Sequence, residues 1–112
     1  MEYKVLVSTC VSASIFPGIG MPQGHFTHIF IDEAAQATEP EAMISIRLMA
    51  DKKTNIVLSG DPKQLGPVIQ SSIAAEFGLG VSYLERLIAR PVYGELEGYG
   101  TTYAIYFEAY AV

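Results

Sequence analysis

The chain has 112 residues, 12 Asp and Glu against 7 Lys and Arg, a formal net charge of −5, one cysteine and no tryptophan. With 50% hydrophobic and 17% charged residues it has enough apolar material for a core, and is too apolar for a disordered segment. A lone Cys10 excludes an internal disulfide and a four-cysteine zinc site, no run approaches the ~18 apolar residues of a membrane span, and the acidic balance argues against an autonomous nucleic-acid binder.

Three apolar, β-branched runs read as strands buried on both faces: Val5 to Val11, His28 to Ile31, and Asn55 to Leu58. Each ends in small, polar or acidic residues, which is where open parallel sheets carry ligand-binding loops. Between the second and third runs, Glu39 to Ala50 reads as a helix, with acids and Pro40 at its start and an apolar face at Met43, Ile46, Leu48 and Met49. Strand, helix, strand implies a parallel crossover. A Pro- and Gly-punctuated loop from Asp61 to Pro67 follows, then short helices over Ser72 to Phe77 and Ser82 to Ala89, the latter stopped by Pro91. Residues 94–112 differ in character. Tyr99, Tyr103, Tyr106 and Tyr110 have helical spacing, the composition also favours a strand, and a loosely packed tail is the expectation.

Two constellations carry chemistry. In Ile29-Phe30-Ile31-Asp32-Glu33-Ala34-Ala35-Gln36-Ala37, an acidic pair ends a strand, where one carboxylate can hold magnesium through water and the next can polarise an attacking water. Alone, the same pair also reads as acids capping a following helix. In Ile56-Val57-Leu58-Ser59-Gly60-Asp61-Pro62-Lys63-Gln64-Leu65-Gly66-Pro67, a strand opens into a loop with a carboxylate, a cation and an amide. Gln64 there can contact a γ-phosphate or orient its water, although the loop alone also fits an ordinary turn.

Together, Asp-Glu-Ala-Ala-Gln-Ala and Gly-Asp-Pro-Lys-Gln-Leu-Gly-Pro resemble motif II (the Walker B strand) and motif III of superfamily 1 helicases of the up-frameshift-like group. The stretches His25 to Glu33, Glu39-Pro40-Glu41 and Phe77 to Leu87 are similar to the Armitage branch, RNA helicases of small-RNA silencing. The resemblance covers about Tyr3 to Tyr93. It implies an α/β fold: a partial RecA-like P-loop NTPase domain over 1–93, a parallel sheet with flanking helices, followed by a non-matching tail over 94–112.

By resemblance the cofactors are ATP and Mg2+, with Asp32 holding magnesium through water, Glu33 as general base and Gln64 on the γ-phosphate. Asp61 would couple the nucleotide site to the strand-binding face, and Thr9 of Ser8-Thr9-Cys10 would contact RNA. Thr9 equally fits a β-branched residue at a strand end. The implied partners are RNA and silencing-complex proteins, with no membrane and no disulfide partner. The implied place is the cytoplasm, including ribonucleoprotein granules.

The departures are informative too. The chain has no glycine-rich loop ending in Lys and Ser or Thr, Lys53-Thr54 being preceded by Lys52, and Arg47, Arg86 and Arg90 match neither family arginine. The expectation is a chain that begins midway through the first motor domain and hydrolyses no ATP alone. The alternative is a non-catalytic binding module that pairs with a full-length helicase or its partners. His25 and His28, without a third ligand nearby, are read as ordinary residues and not as a zinc site.

Overall fold

A computed structural model describes residues 4–91 and, as backbone, the strand at 103–108. The elements are a 3-10 turn (Ser12–Ser14), α1 (Ile15–Gly18), β1 (His28–Ile31), α2 (Glu39–Met49), β2 (Asn55–Gly60), α3 (Ser72–Glu76), α4 (Tyr83–Ile88) and β3 (Tyr103–Glu108). β1 and β2 pair in parallel with His28 opposite Asn55 and Ile31 opposite Leu58, and α2 makes the crossover. This is the α/β arrangement expected of a partial RecA-like domain.

The sequence explains why α2 starts where it does. Thr38 has extended backbone, and its hydroxyl accepts from the Glu41 amide while the Glu41 carboxylate accepts from the Thr38 amide. Two of the helix's otherwise unpaired N–H groups are satisfied reciprocally, with Pro40 in the first turn, where a missing amide hydrogen costs nothing. Ser71 and Ser82 cap α3 and α4 by the hydroxyl alone, each accepting from the amide three residues on. The two outer caps meet, because Thr38 and Ser82 form an isolated antiparallel bridge.

The core lies between one face of the sheet and the helices α2 and α4. Ile31, Ile56 and Leu58 pack there with Ala42, Ile46, Leu84 and Leu87, and Ala34 and Ala35 close the top. The buried side of α2 is Ala42, Ser45, Ile46 and Met49; Met43 and Leu48, assigned to that face from the sequence, are half-buried at its border.

The structure corrects three expectations. Val5 to Val11 is not a strand: 5–9 has no regular structure, and the chain turns at Cys10 into the 3-10 helix. Local side-chain bonds compete with pairing here, since the Thr9 hydroxyl accepts from the Ser12 amide at 3.1 Å and donates to the Ser12 hydroxyl at 2.8 Å. Val5 and Val7 are exposed as a result, and among the described residues no strand pairs with the outer edge of β1.

The strands are also buried on one face and not on both, because the opposite face leaves His28 and Phe30 exposed. Finally, the sheet is mixed. β3, from the segment read as a loose tail, pairs antiparallel with β2 along its whole length, from Asn55 opposite Glu108 to Gly60 opposite Tyr103. A strand at 103–108 removes the helical reading of Tyr103 and Tyr106, while Tyr99 and Tyr110 of that stripe lie outside the described residues.

Candidate nucleotide and metal site

The C-terminal ends of β1 and β2 bring the two motifs together. Asp32 follows β1 directly, and its Oδ1 accepts from the Glu33 amide at 3.0 Å and from the Ser59 hydroxyl, near the end of β2, at 2.8 Å. One step further, the Ala34 amide donates to the Ser59 carbonyl at 2.8 Å. Asp32 and Ser59 are the next pair in the register that sets Ile31 opposite Leu58, so the parallel crossover itself produces the contact.

Glu33 has φ 52°, in the left-handed region that costs a non-glycine residue about 1–2 kcal/mol. Three local hydrogen bonds offset that cost. The amide is held by Asp32, the carbonyl accepts from the Gln36 amide at 2.9 Å, and Oε2 accepts from Gln36 Nε2 at 3.2 Å. At this kink, at the sheet's end, Glu33 is exposed to solvent.

Gly60 makes the tight packing possible. A Cβ there would lie 3.2 Å from the amide nitrogens of Ala34 and Ala35 and 3.3 Å from Leu84 Cδ2, and its φ of 155° is one that side chains disfavour. Motif III can therefore rest directly on the turn of motif II. Beyond it, Asp61 is 6% exposed; its Oδ1 accepts from the Lys63 amide at 2.9 Å and its carbonyl from the Gln64 amide at 3.1 Å. Asp61 is thus a buried brace that shapes the loop, and it leaves Gln64 exposed at the turn.

Thr9 sits on the other side of Asp32. Both line an open cavity of about 730 Å3 between the 4–10 segment and β1, whose walls include Phe16, Ile29 and Phe30. Glu33, Asp61 and Gln64 do not border it. Lys53-Thr54 has a local role: the Asp51 carboxylate accepts from the Lys53 amide at 2.9 Å and the Thr54 hydroxyl at 3.0 Å, fastening the turn before β2. Those bonds, the backbone one foremost, hold the Asp51 carboxyl below its ordinary range.

A hydrated magnesium ion fits these residues. Mg2+ keeps several waters and takes one or two carboxylates plus phosphate oxygens. Among the described residues Asp32 Oδ2 accepts no hydrogen bond, and no cluster of three or more His, Cys, Asp or Glu side chains offers a dehydrated protein cage. A phosphate-cradling glycine loop is not among the 112 residues. Neither motif by itself assigns a role to Ser59 or Gln36. The strand register one step past Leu58 points to the first, and the three-residue spacing from Glu33 to the second.

The acidic turn and the polar loop lie on adjacent parallel strand ends of an α/β fold, and a family model described as an AAA domain matches residues 1–72. The chain is 54% identical over 92 residues to the RNA helicase Mov10l1 of Homo sapiens, covering 82% of this chain and 8% of that protein. It is 45% identical over 91 residues to the probable RNA helicase armi of Drosophila melanogaster, covering 81% of this chain and 8% of that protein. The putative helicase mov-10-B.1 of Danio rerio is 50% identical over 91 residues, 80% of this chain and 9% of the relative. The chain belongs to the up-frameshift-like superfamily 1 RNA helicases, alongside Mov10l1, Armi and MOV-10. It spans a tenth or less of the length of these relatives.

Proposed function

We propose that residues 1–93 form the metal- and water-handling half of the ATP site of an RNA helicase, and that the 112-residue chain does not turn over ATP by itself. The observation that supports this most is the contact between the two motifs, Ser59 to Asp32 at 2.8 Å, which sets a candidate magnesium carboxylate beside the loop carrying Gln64. In this reading magnesium supplies charge neutralisation on the triphosphate. Asp32 would hold the hydrated ion through Oδ2, Glu33 would take the proton of the attacking water, and Gln64 would donate a hydrogen bond from its amide to the γ-phosphate. Asp61 fixes the loop that presents Gln64, and Thr9, across the open cavity, is the proposed RNA contact. ATP as the nucleotide, RNA as the track, silencing-complex proteins as partners and a cytoplasmic or granule location all follow from the resemblance to the Armitage branch.

A second reading, a non-catalytic module that binds a full-length helicase or its partners, draws on one observation. β3 closes the β2 edge with six paired residues, giving the chain a sheet of its own. ATP turnover by the purified chain separates the two readings from a complete enzyme. No turnover above buffer is expected, and turnover that Glu33→Gln abolishes contradicts the half-site reading. Capture of a full-length relative by the purified chain supports the module.

A further inference from the structure

We infer that Ser59 is a positioning residue for the metal carboxylate, holding Asp32 so that Oδ2 alone faces the cation; the inference rests on the reading of Asp32 as the magnesium ligand. Three contacts tie Ser59 to the acidic turn. Its hydroxyl donates to Asp32 Oδ1 at 2.8 Å, the same oxygen accepts from the Glu33 amide at 3.0 Å, and its carbonyl accepts from the Ala34 amide at 2.8 Å. Two donors on one oxygen fix both the rotation and the polarity of the carboxylate. The second oxygen has no donor among the described residues, so it is the one left for water or metal.

Packing does not demand a hydroxyl at this position. Ser59 continues the run Ile56-Val57-Leu58, is only half-buried, and lies on the sheet face opposite the core residues Ile56 and Leu58. A valine would satisfy a strand there at least as well. The hydroxyl is thus explained by its acceptor. Side chains that hydrogen-bond a ligating carboxylate change metal affinity on the order of 10–100-fold when removed, although they never touch the ion.

Manganese chloride is the probe, titrated into the 15N-labelled 112-residue chain while paramagnetic broadening of backbone amides is followed. The unmutated chain is expected to show saturable broadening centred on Glu33, Ala34, Ser59 and Gly60. Ser59→Ala should raise the half-broadening concentration about tenfold with the amides of Ile46 and Leu84 unmoved, and Ser59→Thr, which keeps the hydroxyl, should restore it. Should Ser59→Ala perturb the fold, Ser59→Cys, similar in size and a weak donor, must still bind more weakly than Ser59→Thr. Asp32→Asn should remove the local broadening altogether. Loss with Asp32→Asn but an unchanged midpoint in Ser59→Ala, or in Ser59→Cys relative to Ser59→Thr, overturns the role of Ser59 alone. Broadening that survives Asp32→Asn, or none in the unmutated chain, overturns the metal reading of Asp32 and Ser59's role with it.

Discussion

Arg86 and Glu39 meet in a two-pronged ion pair, Nε to Oε2 at 2.7 Å and Nη2 to Oε1 at 2.6 Å, joining the start of α2 to α4 across 47 residues of sequence. The guanidinium also lies 5.2 Å from the centroid of the Tyr83 ring, and its hydrogen bonds to Glu39 raise its already high pKa further. The side chains are 44% and 32% exposed, so solvent screens most of the Coulomb energy. Arg86→Ala is expected to cost about 1 kcal/mol in chemical denaturation, falling at high salt. Arg86→Lys should recover little of that, because an ammonium cannot reproduce the fork. Full recovery by lysine would contradict a geometric role for the pair.

Gly60→Ala tests the seat between the two motifs. A methyl group 3.2 Å from two backbone nitrogens forces β2 and the acidic turn apart, at a cost of about 1–3 kcal/mol. The diagnostic readout is hydrogen exchange at the Ala34 amide, which should accelerate as its 2.8 Å bond to the Ser59 carbonyl lengthens. Unchanged exchange in a destabilised variant would place the strain elsewhere.

The capping box of α2 gives a separable prediction. Thr38→Ala removes the acceptor for the Glu41 amide and should destabilise by about 1 kcal/mol, whereas Thr38→Ser should be nearly neutral. Equal losses in the two variants would show that the methyl group and not the hydroxyl matters.

Asp51 sets a pH dependence whose sign is fixed. Its carboxyl is lowered from 3.8, first by the Lys53 amide and then by the Thr54 hydroxyl, so its stabilising effect is complete above 3.8 and lost as pH falls through the lower folded-state value. A carboxyl-carbon NMR titration should find a midpoint below 3.8, and the stability gap between the native chain and Asp51→Ala should close below that pH. A gap that persists in strong acid would contradict the assignment.

The parts of the fold that were legible in the sequence are those fixed locally. β1 and β2 announce themselves as β-branched runs, and α2 by Thr38, Pro40 and Glu41 at its start. Val5 to Val11 has the same composition as a strand and is none, because a strand also needs a neighbour, and the Thr9 and Ser12 hydroxyls offer the backbone another arrangement. β3 shows the converse: the Tyr-rich segment looked indifferent between helix and strand until β2 supplied an edge. At the site, the chemistry of Asp32, Glu33 and Gln64 is legible in the two motifs, and the place of Asp61 comes from the helicase resemblance. Asp61's burial as a brace, the left-handed turn at Glu33 and the Ser59 contact depend on the register between two strands that no single stretch of sequence contains.

The decisive experiment is a graft. Residues 1–91 of this chain would replace the matching segment of human Mov10l1, and RNA-stimulated ATP turnover would be measured with and without Glu33→Gln. Turnover in the graft and its loss in the Glu33→Gln form are the expected results. Turnover that Glu33→Gln leaves intact, or a folded, RNA-binding graft as inactive as that variant, would contradict the assignment of the catalytic half-site to this chain.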